Sequence, residues 1–153
     1  MHHAHHNNLL PPLLEHFSAE RQLVQSFLDR LDTLFPGLST GNGITGSRLL
    51  PCSNRGAFAD LLFETIVALD DHASEEEAFM KKLALERDTP IQYERHIEDH
   101  AELAEAMNRI VDAYAIEDAF DCARYLRLVL QRWRHDHIET FDKQMLGWIC
   151  KDA

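Results

Sequence analysis

From Leu13 the apolar residues Leu13, Phe17, Val24, Phe27, Leu31 and Leu34 return at helical spacing, and the run stops at Pro36-Gly37. Pro11 and Pro12 precede it, where a first helical turn tolerates residues without an amide proton. A second stretch, from Ala57 to about Arg87, contains neither Gly nor Pro and sets Leu62, Leu69, Glu76 and Leu83 at steps of seven. A carboxylate, Glu76, therefore sits inside an apolar seam. The third stretch repeats that step through Tyr93, His100, Met107 and Tyr114, with His96, Leu103 and Ile110 beside them, after Thr89 as a cap and Pro90 in the first turn. Two histidines thus face inward. The final run, from about Glu117 to Cys150, places Ala123, Leu126, Leu130, Trp133, His137, Phe141 and Trp148 on one stripe.

These patterns predict helices at about 12–35, 57–87, 90–115 and 117–150, with no strand-like alternation and no internal repeat. The expected fold is all-α, an up-down-up-down antiparallel four-helix bundle over residues 12–153, behind a flexible His-rich tail at 1–11. The stretch Pro36 to Gly56 holds five of the six glycines and two of the five prolines and reads as one long loop. Such a loop is a contact surface for a second copy of the chain or for another protein.

Composition narrows the partners. With 153 residues, 45% of them hydrophobic and 27% charged, the chain is sized for one domain with a real core. Its 15 Lys and Arg against 26 Asp and Glu give a formal net charge of -11, which repels nucleic-acid phosphates and anionic lipid, so neither is an expected partner. No run approaches the roughly 18–20 apolar residues of a membrane span, and no basic segment followed by an apolar stretch marks the amino terminus, so the expected location is cytoplasmic. Cys52, Cys122 and Cys150 are far apart, with no C-x2-C pair, which argues against a disulfide framework or a thiolate zinc site.

The candidate chemistry lies in three pairs: His72 with Glu76, His96 with His100, and His137 with Asp142. Residues four apart on a helix stand one above the other, so each of the first two pairs aims two ligands at one point. A single inward histidine is more often a hydrogen-bonded core residue than a ligand. Several of them with Glu76, buried together on three helices, cost several kcal/mol of desolvation unless a cation pairs them. Imidazole with carboxylate suits iron, manganese or zinc. The Glu-x2-His repeat of ferritin-like bundles is absent from the chain.

The segment HASEEEAFMKKLALERDTPIQYERHIEDH resembles the His-x3-Glu helix followed by the His-x3-His helix of hemerythrin-like proteins, also described as His-His-Glu cation-binding (HHE) domains. WRHDHIETFD, with Trp133 ahead of His137 and Asp142, is similar to the family's His-x4-Asp motif. The resemblance covers about residues 57–150. It implies two iron ions in a non-haem centre, with other divalent metals as substitutes. Glu76 and Asp142 would bridge them, His96, His100 and His137 would saturate one, and His72 with a first-helix histidine would hold the other, leaving a position open for dioxygen or nitric oxide.

The first helix departs from the family's Asp-x2-His pattern. SAER, Ser18 to Arg21, puts Arg21 where the histidine belongs, but Arg21 falls off the apolar stripe. His16, at the edge of the stripe, is the first choice for the missing ligand and Glu20, near its centre, the second, as an additional or replacement ligand. A coordinating Glu20 would occupy the place that an oxygen carrier keeps empty. His135 and the flanks of the run Glu75-Glu76-Glu77 read as surface, and Ala73 stands where the family commonly carries an aromatic residue. The expected function is the binding of a small diatomic ligand for storage, delivery or sensing. The alternatives are a di-iron enzyme or stress protein that reduces peroxide or nitric oxide or supplies iron for cluster repair, for which no proton donor or redox partner motif stands out, and a metal-free helical interaction module.

Overall fold

The computed structural model describes residues 10–40, 52–86 and 88–150. Among these the chain is all-helical: α1 (Leu10–Leu34), α2 (Cys52–Glu86), α3 (Gln92–Tyr114) and a fourth helix built as α4 (Ala119–Arg132), a π-helical stretch (Trp133–Asp142) and α5 (Lys143–Cys150). Each of the four packs on the next in the chain, and the fourth returns to α1, so they close a ring around a shared interior. No helix among the described residues is long and apolar enough to cross a membrane.

Several boundaries differ from the pattern-based ones. α1 begins at Leu10, two residues early, because both prolines fit an N-terminal turn whose amides have no intrahelical acceptor. α2 begins at Cys52, so Cys52 and Gly56 are helical rather than part of the loop, and Pro51 directly precedes the helix. Thr89 does not cap α3. The helix begins at Gln92 with Ile91 at its N-cap and no side-chain bond there, while the amide of Tyr93 reaches the Pro90 carbonyl at 3.0 Å. At the fourth helix Asp118 is the cap, its carboxylate accepting from the amide of Phe120 at 2.8 Å. After α1 the chain turns at Gly37, whose φ of 90° suits a residue without a side chain. The rest of the expected loop, 41–51, and the tail residues 1–9 lie outside the described residues.

The interior is layered. A large apolar cluster takes Val24 to Leu31 from α1, Phe35 and Leu38 from the turn after it, Phe58 to Leu69 from α2, Leu103 to Ile110 from α3 and Cys122 to Ile138 from the fourth helix. A smaller one gathers Phe17, Met80, Leu83, Met145, Trp148 and Ile149. Between the two clusters, on every helix, lie buried ionisable side chains. The apolar layers fix the spacing of the helices, and the polar layer inherits that geometry.

Candidate metal centre

Glu20, His72, Glu76, His96, Asp99, His100, His137 and Asp142 are buried, and all belong to this layer. α2 supplies His72 and Glu76 from successive turns, and α3 supplies His96, Asp99 and His100. The fourth helix supplies His137 and Asp142 from its π-helical stretch. A buried carboxylate without a partner costs a large desolvation free energy, so the layer is tolerable only where opposite charges meet within it.

Glu76 Oε2 is the hub. It lies 2.9 Å from His96 Nε2 and 3.3 Å from both His72 Nε2 and His100 Nε2. His137 Nε2 stands 3.8 Å from the same oxygen and 3.1 Å from Asp142 Oδ1, which is itself 3.3 Å from His96 Nε2. The Nε2 atoms of His72 and His100 each approach that of His137 to 3.1 Å. Three imidazole nitrogens facing one another cannot all be satisfied by shared protons. Ligand atoms about 3.0–3.4 Å apart are, however, the edges of a coordination shell with metal bonds near ~2.1 Å. Among the described residues three groups have candidate ligand atoms mutually within 4.8 Å: His72, Glu76, His100 and His137; Glu76, His96, His137 and Asp142; and His16, Glu20, His72 and Glu76. Glu76 belongs to all three.

Buried atoms without a hydrogen-bond partner test the fit. Glu20 Oε2, Glu76 Oε1 and Asp142 Oδ2 have none. Unsatisfied acceptors on three converging carboxylates are the donor set that a cation completes. The residues present therefore suit metal.

Outer contacts hold the cluster's side chains in place. Asp99 Oδ2 lies 2.7 Å from His137 Nδ1, which leaves Nε2 of that ring for the centre. Arg132 donates to Asp99 and, at 2.6 Å, to Glu102. Glu77 Oε1 meets His100 Nδ1 at 3.0 Å, so Glu77 is half-buried and engaged, not a solvated flank. Trp133 Nε1 donates to Glu20 Oε1 at 2.8 Å, and that oxygen is 2.7 Å from His72 Nδ1. Asp99, Glu77 and the contact of Glu20 with Trp133 were not legible from the seams alone, whereas Glu20 itself stood near the centre of the first stripe. The signal for Asp99 was its place directly between two inward histidines.

The first helix thus sends Glu20 to the centre. His16 is half-buried at the rim, stacked on His72 at 6.4 Å and 10°, with Nδ1 3.9 Å from Glu75 Oε2. Arg21 is exposed and pairs with Glu139 at 2.5 Å, away from the ligands. His135 is exposed, and Ala73 is half-buried.

The electrostatics follow from this crowding. For His137, burial disfavours the charged ring, but Asp142, Asp99 and Glu76 outweigh it and push the pKa up to about 11. His72 and His96 are likewise raised, burial being overcome by Glu20 and Glu76 in the first case and by Asp142 and Glu76 in the second. Burial favours the neutral acid of Glu76, yet the surrounding imidazoles hold it well below the usual carboxylate range. Asp99 is lowered by His137 and Arg132 against its own burial.

The family model for the hemerythrin HHE cation-binding domain matches residues 29–149. No match is found among the curated proteins or the solved structures. The matched region contains His72, Glu76, His96, His100, His137 and Asp142 and begins after His16 and Glu20. With that match spanning most of the chain and a buried His/Glu cluster at its heart, the protein belongs to the hemerythrin HHE cation-binding domain family.

Proposed function

We propose that the cluster holds two iron ions bridged by Glu76 and Asp142 and binds a small diatomic ligand, dioxygen or nitric oxide, for storage, delivery or sensing. The observation that carries this reading is the position of Glu76 Oε2, within 3.3 Å of the Nε2 atoms of His72, His96 and His100 and 3.8 Å from that of His137. His96, His100 and His137 would hold one ion, and His72 with Glu20, and His16 at the rim, the other. The layer order of the two apolar clusters supports the up-down-up-down antiparallel arrangement on which this assignment rests. Ferrous iron supplies reversible affinity for dioxygen and nitric oxide. The chain supplies the rest: Glu20, Glu76 and Asp142 nearly neutralise a pair of divalent ions, Asp99 fixes the His137 ring, and Phe17, Met80 and Trp133 keep water away. Elemental analysis after ferrous loading tests the reading, and two irons per chain with an oxygen-dependent absorption band are expected. Bound iron with no spectral response to dioxygen or nitric oxide overturns it.

A second reading, an enzyme or stress protein acting on peroxide or nitric oxide, draws on Glu20. A third buried carboxylate, 2.7 Å from His72, makes that end of the cluster oxygen-rich and favours ferric over ferrous iron. Steady-state turnover of peroxide or nitric oxide faster than free iron supports it, and turnover no faster than free iron removes it.

A further inference from the structure

Between α1 and α2 a groove of about 500 Å³ runs down to the polar layer. Its floor is Glu20, His72 and Trp133, and its walls carry Leu23, Phe63 and Val67, of which Phe63 is 67% exposed. A diatomic ligand fills roughly the ~30 Å³ of one water molecule, whereas cavities of hundreds of cubic ångströms accommodate organic ligands. Two further observations define what fits. Glu20 Oε2, on a floor residue that is itself buried, has no hydrogen-bond partner. The charges are also one-sided: Asp71, Glu75 and Glu64 line the groove along with Glu20 and no Lys or Arg does, the partners of these carboxylates being Arg30 for Glu64, His72 at 2.7 Å for Glu20 and His16 at 3.9 Å for Glu75.

We infer that the groove binds a small amphipathic organic cation, an amine whose ammonium group is directed toward Glu20 and whose apolar body lies against Phe63, Val67 and Leu23. An ammonium group supplies the donor that Glu20 Oε2 lacks, and the exposed aromatic ring of Phe63 favours a cation over an anion. An organic carboxylate would face acidic groups on both helices. The inference concerns the metal-free chain, because a metal ion held by Glu20 would take the place of the ammonium group.

The experiment is a ligand-observed NMR titration of the full chain, chelator-treated and iron-loaded, with benzylammonium, benzyl alcohol and benzoate. Benzylammonium is expected to bind about tenfold tighter than the alcohol, the increment of one charge-assisted contact, with benzoate not bound. Val67→Arg, at a partly exposed position, places a cation in the groove and is expected to abolish benzylammonium binding at unchanged helix content. Glu20→Gln is expected to erase the preference for ammonium over alcohol. If Glu20→Gln does not fold, Val67→Arg decides. Equal affinity for the three probes in the chelator-treated protein, or unaltered binding by Val67→Arg, overturns the inference. Metal content is measured separately, so a failure of the iron reading and a failure of the groove reading are told apart.

Discussion

His137 and Asp142 are five residues apart in the chain, yet His137 Nε2 lies 3.1 Å from Asp142 Oδ1. Five steps along an α-helix rotate a side chain by roughly 500°, about 140° beyond a full turn, which would aim the two apart. The backbone from Trp133 to Asp142 is π-helical, and its wider i→i+5 turns return the fifth residue to the same face. The His-x4-Asp motif and the π-helical stretch are thus one feature, a ligand pair made from a spacing that an α-helix cannot use.

Asp142→Asn keeps the shape of the side chain and removes its charge. Asp142 Oδ1 lies 3.1 Å from His137 Nε2 and 3.3 Å from His96 Nε2 and helps hold the charge on both rings, so the metal-free protein should lose about 1.5–3 kcal/mol of stability in thermal or denaturant melts. Metal affinity should fall by at least the ~10–100-fold that loss of an outer partner alone costs. Competitive chelator titration alongside thermal melts checks both. Undiminished affinity would remove Asp142 from the ligand set.

Asp99→Asn acts through His137. The carboxylate sits 2.7 Å from His137 Nδ1 and also receives Arg132, so the substitution weakens two charge-assisted contacts at a buried position. A cost of about 1.5–3 kcal/mol in denaturant unfolding of the metal-free protein is expected, together with a roughly 10–100-fold loss of metal affinity. A loss of stability with metal affinity intact would mean that Asp99 braces the bundle and does not orient the ligand.

On the proposed two-ion assignment, Glu20 sets the character of the second position. Glu20→Gln retains an oxygen for Trp133 Nε1 but replaces the free Oε2 with an amide that does not bind metal. The bound metal should drop from two ions per chain toward one, with little change in the Trp133 environment reported by fluorescence. Two ions in the variant would assign the second position to His16, His72 and Glu76 without Glu20.

The seams of α2 and α3 were legible because their steps of seven continue through the polar layer: Leu62, Leu69, Glu76 and Leu83 are all buried, as are His96, His100, Leu103, Met107 and Ile110. The fourth helix was legible only in part. Its stripe through Leu126, Leu130, Trp133 and His137 holds, but below His137 burial passes to Ile138, Asp142 and Met145 while Phe141 is only half-buried. Such a register shift follows from the π-helical turns, and a wheel drawn at a fixed 100° per residue cannot show it. Asp99 and Glu77 were hidden for another reason. Each flanks a seam and is drawn inward by a histidine on a different helix, a contact that exists only once the helices pack.

The metal-free and metal-loaded forms should respond to pH in opposite directions. His137 has a folded pKa of about 11, above the ~6.5 of an unfolded histidine, so its contribution to stability is complete below about pH 6.5 and is lost as pH rises through the folded value. Glu76 is depressed, so its contribution is complete above about pH 4.3 and is lost as pH falls. The metal-free protein should therefore be most stable between about pH 4.5 and 6.5 and should weaken toward alkaline pH. Metal uptake runs the other way, because a cation replaces the proton on His137, and each proton displaced makes apparent affinity rise about tenfold per pH unit. Loaded protein should gain melting temperature from about pH 6 to about pH 8 over the same interval in which the metal-free protein loses it, and mild acid should release the metal. Parallel melts of the two forms across that interval check the crossing. Curves that move together, with metal affinity flat in pH, would show that His137 is not displaced by metal and holds its proton as a structural ion pair with Asp99 and Asp142.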